Sequence, residues 1–186
     1  IADDHYGKRS DMAMAFAELL NDEAKELEAF GADVIQFDEP AFNAFMSDVQ
    51  EWGADTLNRA IEGLKCKTSV HICYGYGIQQ NIDWKKTLGG EWRQYEDFFP
   101  TLNSCNIDQI SLECAGSNVP FEVMALLKDK EVLVGAIDVA TEEIETPEMV
   151  ADVLRRAAEF VDPGRMVAST NCGMAPIPYN VAVGKL

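Results

Sequence analysis

Side chains able to do chemistry recur in this sequence at the ends of short apolar runs. Asp38 and Glu39 follow one such run, and His71 and Cys73 close a second. Glu113 and Cys114 follow a third, Asp138 a fourth, and Asn171 and Cys172 stand just beyond a fifth. His71 and Cys73 are two residues apart, so on an extended strand both project from one face. A buried histidine beside a buried cysteine accounts for that pair equally well. Glu113 and Cys172, arriving at equivalent heights from other strands, would make a set of one nitrogen, two thiolates and one carboxylate. Zinc accepts those ligand types in tetrahedral geometry. Two thiolates and a carboxylate against a divalent cation leave the centre with a net charge of about −1. Such a centre is a poor Lewis acid for carbonyls, but it deprotonates an incoming thiol and keeps the thiolate nucleophilic. The chemistry it favours is alkyl transfer to sulfur, with the carboxylate as the most easily displaced ligand.

The elements that must position these residues alternate regularly. Apolar residues at helical spacing run from Asp11 to Phe30 and stop at Gly31. A strand is expected over 32–37, then a long helix from about Ala41 to Leu64, a strand over 67–73 and a loop over 74–90. A helix near 91–102, a strand over 107–112, a helix over 120–128 and a strand over 132–137 follow. Thr146 as N-cap, Pro147 at the first helical position and Glu148 in the first turn mark the start of a helix reaching about Phe160. A strand over 165–168 and a helical segment to Leu186 complete the reading. Strands separated by helices imply βα units and a parallel sheet, because parallel strands need crossover connections. In such folds functional side chains collect at the carboxyl ends of the strands. No glycine-rich phosphate loop follows any strand, which disfavours a nucleotide-binding open sheet.

Composition narrows the class further. The chain has 186 residues, with 32 acidic and 15 basic side chains and a formal charge of −17. A surface so negative, with basic residues no more clustered than Lys85-Lys86 and Arg155-Arg156, excludes nucleic acid as a partner. No apolar run approaches the ~20 residues of a membrane span, and the first residues form no signal-peptide core. Five cysteines, an odd number, argue for free thiols or metal ligation over a disulfide framework, and for a cytoplasmic protein. Cys114 should face away from Glu113 into the core, and Cys66 and Cys105 read as structural. Asp3 to Gly7 reads as a polar loop, and the 74–90 loop, with Trp84, as a lid or docking surface.

Five segments in order, Val34 to Ala41 (VIQFDEPA), His71-Ile72-Cys73, Ser111-Leu112-Glu113, Gly135 to Val139 (GAIDV) and Asn171-Cys172-Gly173, resemble the cobalamin-independent methionine synthase family. The resemblance is to its C-terminal catalytic barrel or to its short core homologues, and it runs through essentially the whole chain. It implies an α/β fold, the C-terminal portion of a TIM (β/α)8 barrel, with zinc as cofactor and homocysteine as methyl acceptor. Carried over residue by residue, His71, Cys73, Glu113 and Cys172 match the zinc ligands. Asp38 matches the carboxylate that holds the homocysteine amino group, with Glu39 beside it as a second substrate-binding candidate. Asp38 and Asp138 are the catalytic candidates. Read without the family, Asp38-Glu39-Pro40 would also serve as an ordinary helix start.

Two departures bear on the methyl donor. Where folate-dependent members have D-I-H-S, this chain reads Asp138-Val139-Ala140-Thr141, so the histidine that assists the folate leaving group becomes Ala140. After Cys172, the family's basic residues give way to Met174-Ala175-Pro176-Ile177-Pro178. The expected donor is therefore a methyl-corrinoid, or a protein carrying one, in place of methyltetrahydrofolate. A related zinc alkyl-thiol transferase with another acceptor, or a non-catalytic zinc-binding or structural α/β module, would show the same ligand pattern. Five strands are legible where a TIM barrel has eight, at ~250 residues in all. Residues 1–186 are thus expected to be one partial catalytic domain lacking about three N-terminal βα units, inactive and poorly stable alone.

Overall fold

The computed structural model describes residues 3–40, 42–76 and 79–186. Five strands, Val34–Glu39 (β1), Lys67–Ile72 (β2), Gln109–Glu113 (β3), Glu131–Ile137 (β4) and Met166–Thr170 (β5), form one sheet in the order β1-β2-β3-β4-β5. Every neighbouring pair is parallel. Strand order follows chain order without reversal, and right-handed crossovers then put the connecting helices on one side of the sheet. This is the winding of a (β/α)8 barrel, in which a doubly wound sheet's switch point does not occur.

Alternation along the strands sorts residues between the two faces. Ile35, Val70, Ile72, Ile110, Leu112, Val132 and Val134 share one face and are buried. There all of these but Ile35 join Leu57, Ile61, Phe98, Phe99 and Leu102 of the helical layer in a single core. Burying each such side chain contributes roughly 1.5–3 kcal/mol before entropy is counted. Ser69, His71, Gln109, Ser111 and Glu113 lie on the opposite face and are also buried. Polar side chains withdrawn from water need partners: His71 pairs with Ser111, Gln109 with Glu131 of β4, and Glu113 with Tyr74 and Tyr76 beyond β2, while the Ser69 hydroxyl has none among the described residues.

The helices are Arg9–Ala29 (α1), Met46–Asp48 (α2), Ala54–Ala60 (α3), Gln79–Lys85 (α4), Gln94–Asn103 (α5), Pro147–Ala157 (α6) and Tyr179–Lys185 (α7). The expected cap of α6 is present: the Thr146 hydroxyl accepts the Met149 N–H at 3.3 Å, with Pro147 in the first turn. Asn21 joins α1 to the end of α3, donating from its amide to the Ala60 and Glu62 carbonyls at 2.9 Å each. No helix among the described residues is long and apolar enough to cross a membrane. All five cysteines are free thiols.

Three expected elements differ. The helix drawn from Ala41 to Leu64 starts at Met46, turns through a π-helical segment at Val49–Gly53 and ends at Ala60. Ala41 itself lies outside the described residues. The 74–90 loop contains α4, whose apolar signal is too short to register as a helix; Gly77 and Ile78 within it lie outside the described residues. Residues Phe121–Leu126 form a 3-10 helix where an α-helix over 120–128 was expected. The strand ends also shift: β1 runs through Asp38 and Glu39, which are therefore strand residues and not the first residues of a loop.

Candidate metal and substrate site

Register brings the chemistry together. Asp38 pairs with His71 and His71 with Ser111 across three strands, so all three project from the polar face. His71 Nδ1 and the Ser111 hydroxyl are 2.8 Å apart, a contact that fixes the ring and leaves Nε2 free of that bond. His71 Nε2 is buried and has no hydrogen-bond partner among the described residues. One possible ligand atom each from His71, Cys73 and Cys172 lies within 4.8 Å of the others. A single ion at ~2.3 Å from sulfur and ~2.0 Å from nitrogen spans such a group. An orphaned imidazole nitrogen aimed among two thiols is costly without a cation, so the residues present fit zinc.

Electrostatics in the cluster favours one thiolate over two. The Cys73 thiol beside it and the His71 ring hold Cys172 well below the ordinary thiol range. Cys73 is pushed up, first by its contact with Cys172 and then by burial. Each sulfur is held in place through its backbone. Asn43, 2% exposed, donates to the Cys73 carbonyl at 3.0 Å. Asn171, beside Cys172, is fully buried; it accepts the Cys114 N–H at 3.0 Å and donates to the Ala115 carbonyl at 2.5 Å. The GAIDV glycine belongs to this arrangement, because a Cβ on Gly135 would stand 2.4 Å from Asn171 Oδ1 and 2.8 Å from the Leu112 carbonyl.

Glu113, the fourth expected ligand, reaches the same end of the sheet but is not one of the three converging residues. Its Oε1 accepts the Tyr74 N–H at 2.6 Å, and its Oε2 accepts the Tyr76 hydroxyl. Burial raises the Glu113 carboxyl above its usual range, against the lowering effect of the Tyr76 contact and Lys85.

The other candidates sit around this group. Asp38 is exposed, and its Oδ1 accepts the Gln36 side-chain amide at 2.9 Å. Glu39 turns back to accept the Phe42 N–H at 2.7 Å, so one of its oxygens shapes the turn after β1. A cavity of about 470 Å³ opens beside both, lined by Phe16, Phe37, Phe45 and Trp52; none of the three converging residues lines it. Asp138 accepts the Ala140 N–H at 2.8 Å, and its own N–H donates to Glu145 Oε1 at 2.9 Å. Its carboxylate lies against Gly116, where a Cβ would stand 2.2 Å from Oδ2.

Several residues that shape the site were invisible as such in the sequence. Ser111 stood inside a recognised motif with no role attached. Tyr76 carried no signal beyond its place in the loop after β2. Lys185 and Glu145, 40 residues apart, form an ion pair at 3.0 Å that holds the segment following Asp138.

The family described as cobalamin-independent synthase, catalytic domain, matches residues 3–186. Methionine synthase of Sulfurisphaera tokodaii is 34% identical over 185 residues, covering 98% of this chain and 48% of that protein. That of Sulfolobus acidocaldarius gives the same identity and coverage. This chain spans about half the length of the curated relatives it matches. Among solved structures, a B12-independent methionine synthase from Shewanella sp. W3-18-1, in complex with selenomethionine, superposes with a TM-score of 0.95 at 62% identity, over 98% of this chain and 54% of that one. A Listeria monocytogenes chain described as a vitamin-B12 independent methionine synthase matches with a TM-score of 0.63 at 22% identity, covering 91% and 51%. At that identity the likeness is one of fold.

Proposed function

This chain belongs to the cobalamin-independent synthase catalytic-domain family, and on that premise we propose that it binds zinc and transfers a methyl group to the thiol of homocysteine, giving methionine. One observation carries the reading: His71 and Cys73 at the end of β2 converge with Cys172 just beyond β5, with His71 Nε2 buried and without a hydrogen-bond partner among the described residues. Zinc bound there would deprotonate the substrate thiol and hold the sulfur for in-line attack. His71, Cys73 and Cys172 would hold the ion, with Glu113 as the fourth, exchangeable ligand. Asp38, exposed on the same face and next to His71 in register, would take the substrate ammonium, with Glu39 fixing the turn beside it. Asp138, held over Gly116, would face the donor side. The selenomethionine bound by the Shewanella relative is an analogue of the expected product, which supports an amino-acid site here. Five free thiols suit a reducing compartment, and the reading puts the reaction in the cytoplasm.

The donor is the finer question. The relatives' names describe independence from cobalamin, which supports methyltetrahydrofolate. Ala140, exposed after Asp138, has no proton to give a folate leaving group, which supports a donor that departs unaided, such as a methyl-corrinoid on a carrier protein. The experiment offers homocysteine and each donor in parallel to the full-length protein and to Cys172→Ser, with metal analysis of both. The expected result is stoichiometric zinc and methionine formation in the unmodified protein. Cys172→Ser should lose most of the metal and at least about a thousandfold in rate, since a first-sphere ligand is gone. Turnover with methyltetrahydrofolate alone removes the corrinoid. A protein without stoichiometric zinc that keeps its stability in chelator overturns the reading.

A further inference from the structure

The two oxygens of Glu113 are held by unlike partners. Oε1 takes a backbone N–H, that of Tyr74, at 2.6 Å, and the Tyr74 amide cannot leave without moving the chain after β2. Oε2 takes a side-chain hydroxyl, that of Tyr76, which can rotate away. Tyr76 is itself seated from behind: Lys85 Nζ lies 3.9 Å from the centre of its ring and 5.7 Å from that of Trp92. Both Tyr76 and Lys85 are only partly exposed, and Lys85 lies at the end of α4. Meanwhile His71, Cys73 and Cys172 already form a three-ligand group without Glu113.

We propose that Tyr76 is a positioning residue for Glu113, its hydroxyl competing with the metal for the one mobile carboxylate oxygen so that the fourth position is left to the substrate sulfur. This rests on the zinc reading above and assigns a role to a residue that reading does not use. With Oε1 anchored by the backbone, only Oε2 can exchange, and Tyr76 decides how readily it does. A hydrogen bond to a carboxylate is among the stronger ones available, so it can rival a weakly held fourth ligand. Lys85 keeps the phenol turned toward Glu113 and adds positive charge near the carboxylate in either position.

Tyr76→Phe removes the hydroxyl and keeps the ring. In the full-length protein without substrate, zinc affinity is measured by competition with a chromophoric chelator, and Co2+ is loaded separately for absorption spectroscopy. Glu113, released from the phenol, should stay on the metal. Affinity should then rise about tenfold, the scale on which outer-sphere partners act, and the Co2+ bands should shift. KM for homocysteine should rise more than kcat falls. In Tyr76→Phe/Glu113→Gln the gain in affinity over Glu113→Gln alone should vanish, since it runs through the carboxylate. Metal affinity in Tyr76→Phe that falls, or stays within about twofold of the unmodified protein, overturns the proposal while leaving the zinc reading intact. An unmodified protein that takes up neither metal overturns both.

Discussion

At the ends of β2 and β3, His71 and Glu113 are 6% and 1% exposed, and each is gripped by a named neighbour, Ser111 for the one and Tyr74 with Tyr76 for the other. At the end of β1, Asp38 projects from the same face but is exposed, held by Gln36 from its own strand. The apolar side chains divide in the same way. Those on the helix side of β2, β3 and β4 are essentially inaccessible, whereas Phe16, Leu19, Leu20 and Phe30 of the α1 region are 52%, 65%, 44% and 89% exposed. The half that would hold the metal is thus preorganised by the chain itself. In the half that would hold the amino acid, Asp38 stays exposed beside a cavity lined largely by apolar side chains. A metal site needs that order, because ligands misplaced by a fraction of an ångström lose affinity, while an ammonium can be met by a carboxylate that settles on binding.

Breaking the ordered half should have the largest effect where its polar groups are most buried. Lys185 and Glu145 are 0% and 8% exposed in their side chains, and Glu145 also accepts the Asp138 N–H. Lys185→Met leaves a buried carboxylate without its cation, and a loss of roughly 3–5 kcal/mol at neutral pH is expected. The pH dependence gives this a sign. Burial pushes the Glu145 carboxyl up, but Lys185 and two backbone N–H groups outweigh it and leave it below its ordinary value. A depressed carboxylate contributes stability that is fully present above the unfolded value of about 4.5 and is lost as pH falls through the folded one. The unmodified protein should therefore lose this contribution to its melting temperature on acidification below about 4.5. In Lys185→Met the folded carboxyl rises instead, so the variant should recover ground on the unmodified protein in acid. Parallel melting curves at pH 4 to 8 check it; a gap between the two proteins that does not narrow in acid would show that Glu145 is not what Lys185 protects.

A smaller loss should follow from loosening one ligand. Ser111→Ala removes the partner of His71 Nδ1 without touching the metal group, and the ring then has two orientations and two tautomers to choose from. Zinc affinity should drop by roughly 10–100-fold while the fold survives, measured by chelator competition and by circular dichroism on the same samples. Unchanged affinity would mean that packing alone orients His71, and the ordered half would owe less to hydrogen bonds than its geometry indicates.

The same division explains what could be read from the sequence. His71, Cys73, Glu113 and Cys172 could be singled out as candidates because ligand-type residues at strand ends, with His71 and Cys73 two apart at the end of β2, are local patterns; His71, Cys73 and Cys172 converge, and Glu113 is not in that group. Thr146-Pro147 announced α6 for the same reason. The partners that give the site its order are tertiary: Ser111 reaches His71 from 40 residues away, Asn171 reaches Cys114 from 57, and Lys185 reaches Glu145 from 40. No periodicity encodes such contacts. The helix expected over 41–64 failed differently. Its apolar spacing is helical throughout, but the turn after Pro40 uses Glu39 to bind the Phe42 N–H, and the helix waits until Met46. Local propensity there yields to the need to clear the end of β1.

The open half supplies the finest test. Asp38→Asn keeps the side chain's shape and its ability to accept from Gln36, and removes only the charge. If Asp38 meets the substrate ammonium, KM for homocysteine should rise about tenfold, the worth of a charge-assisted hydrogen bond partly exposed to water, with kcat and zinc content unchanged. A thiol of similar size without the amino group should bind the variant and the unmodified protein equally well, because it never used the carboxylate. That pairing separates a substrate contact from a disturbance passed to the neighbouring His71, to which Asp38 is joined by register. A disturbance of His71 would lower zinc affinity and penalise both thiols alike. In that case the two halves of the face would be coupled through β1 and β2, and the independence attributed here to the metal half would not hold.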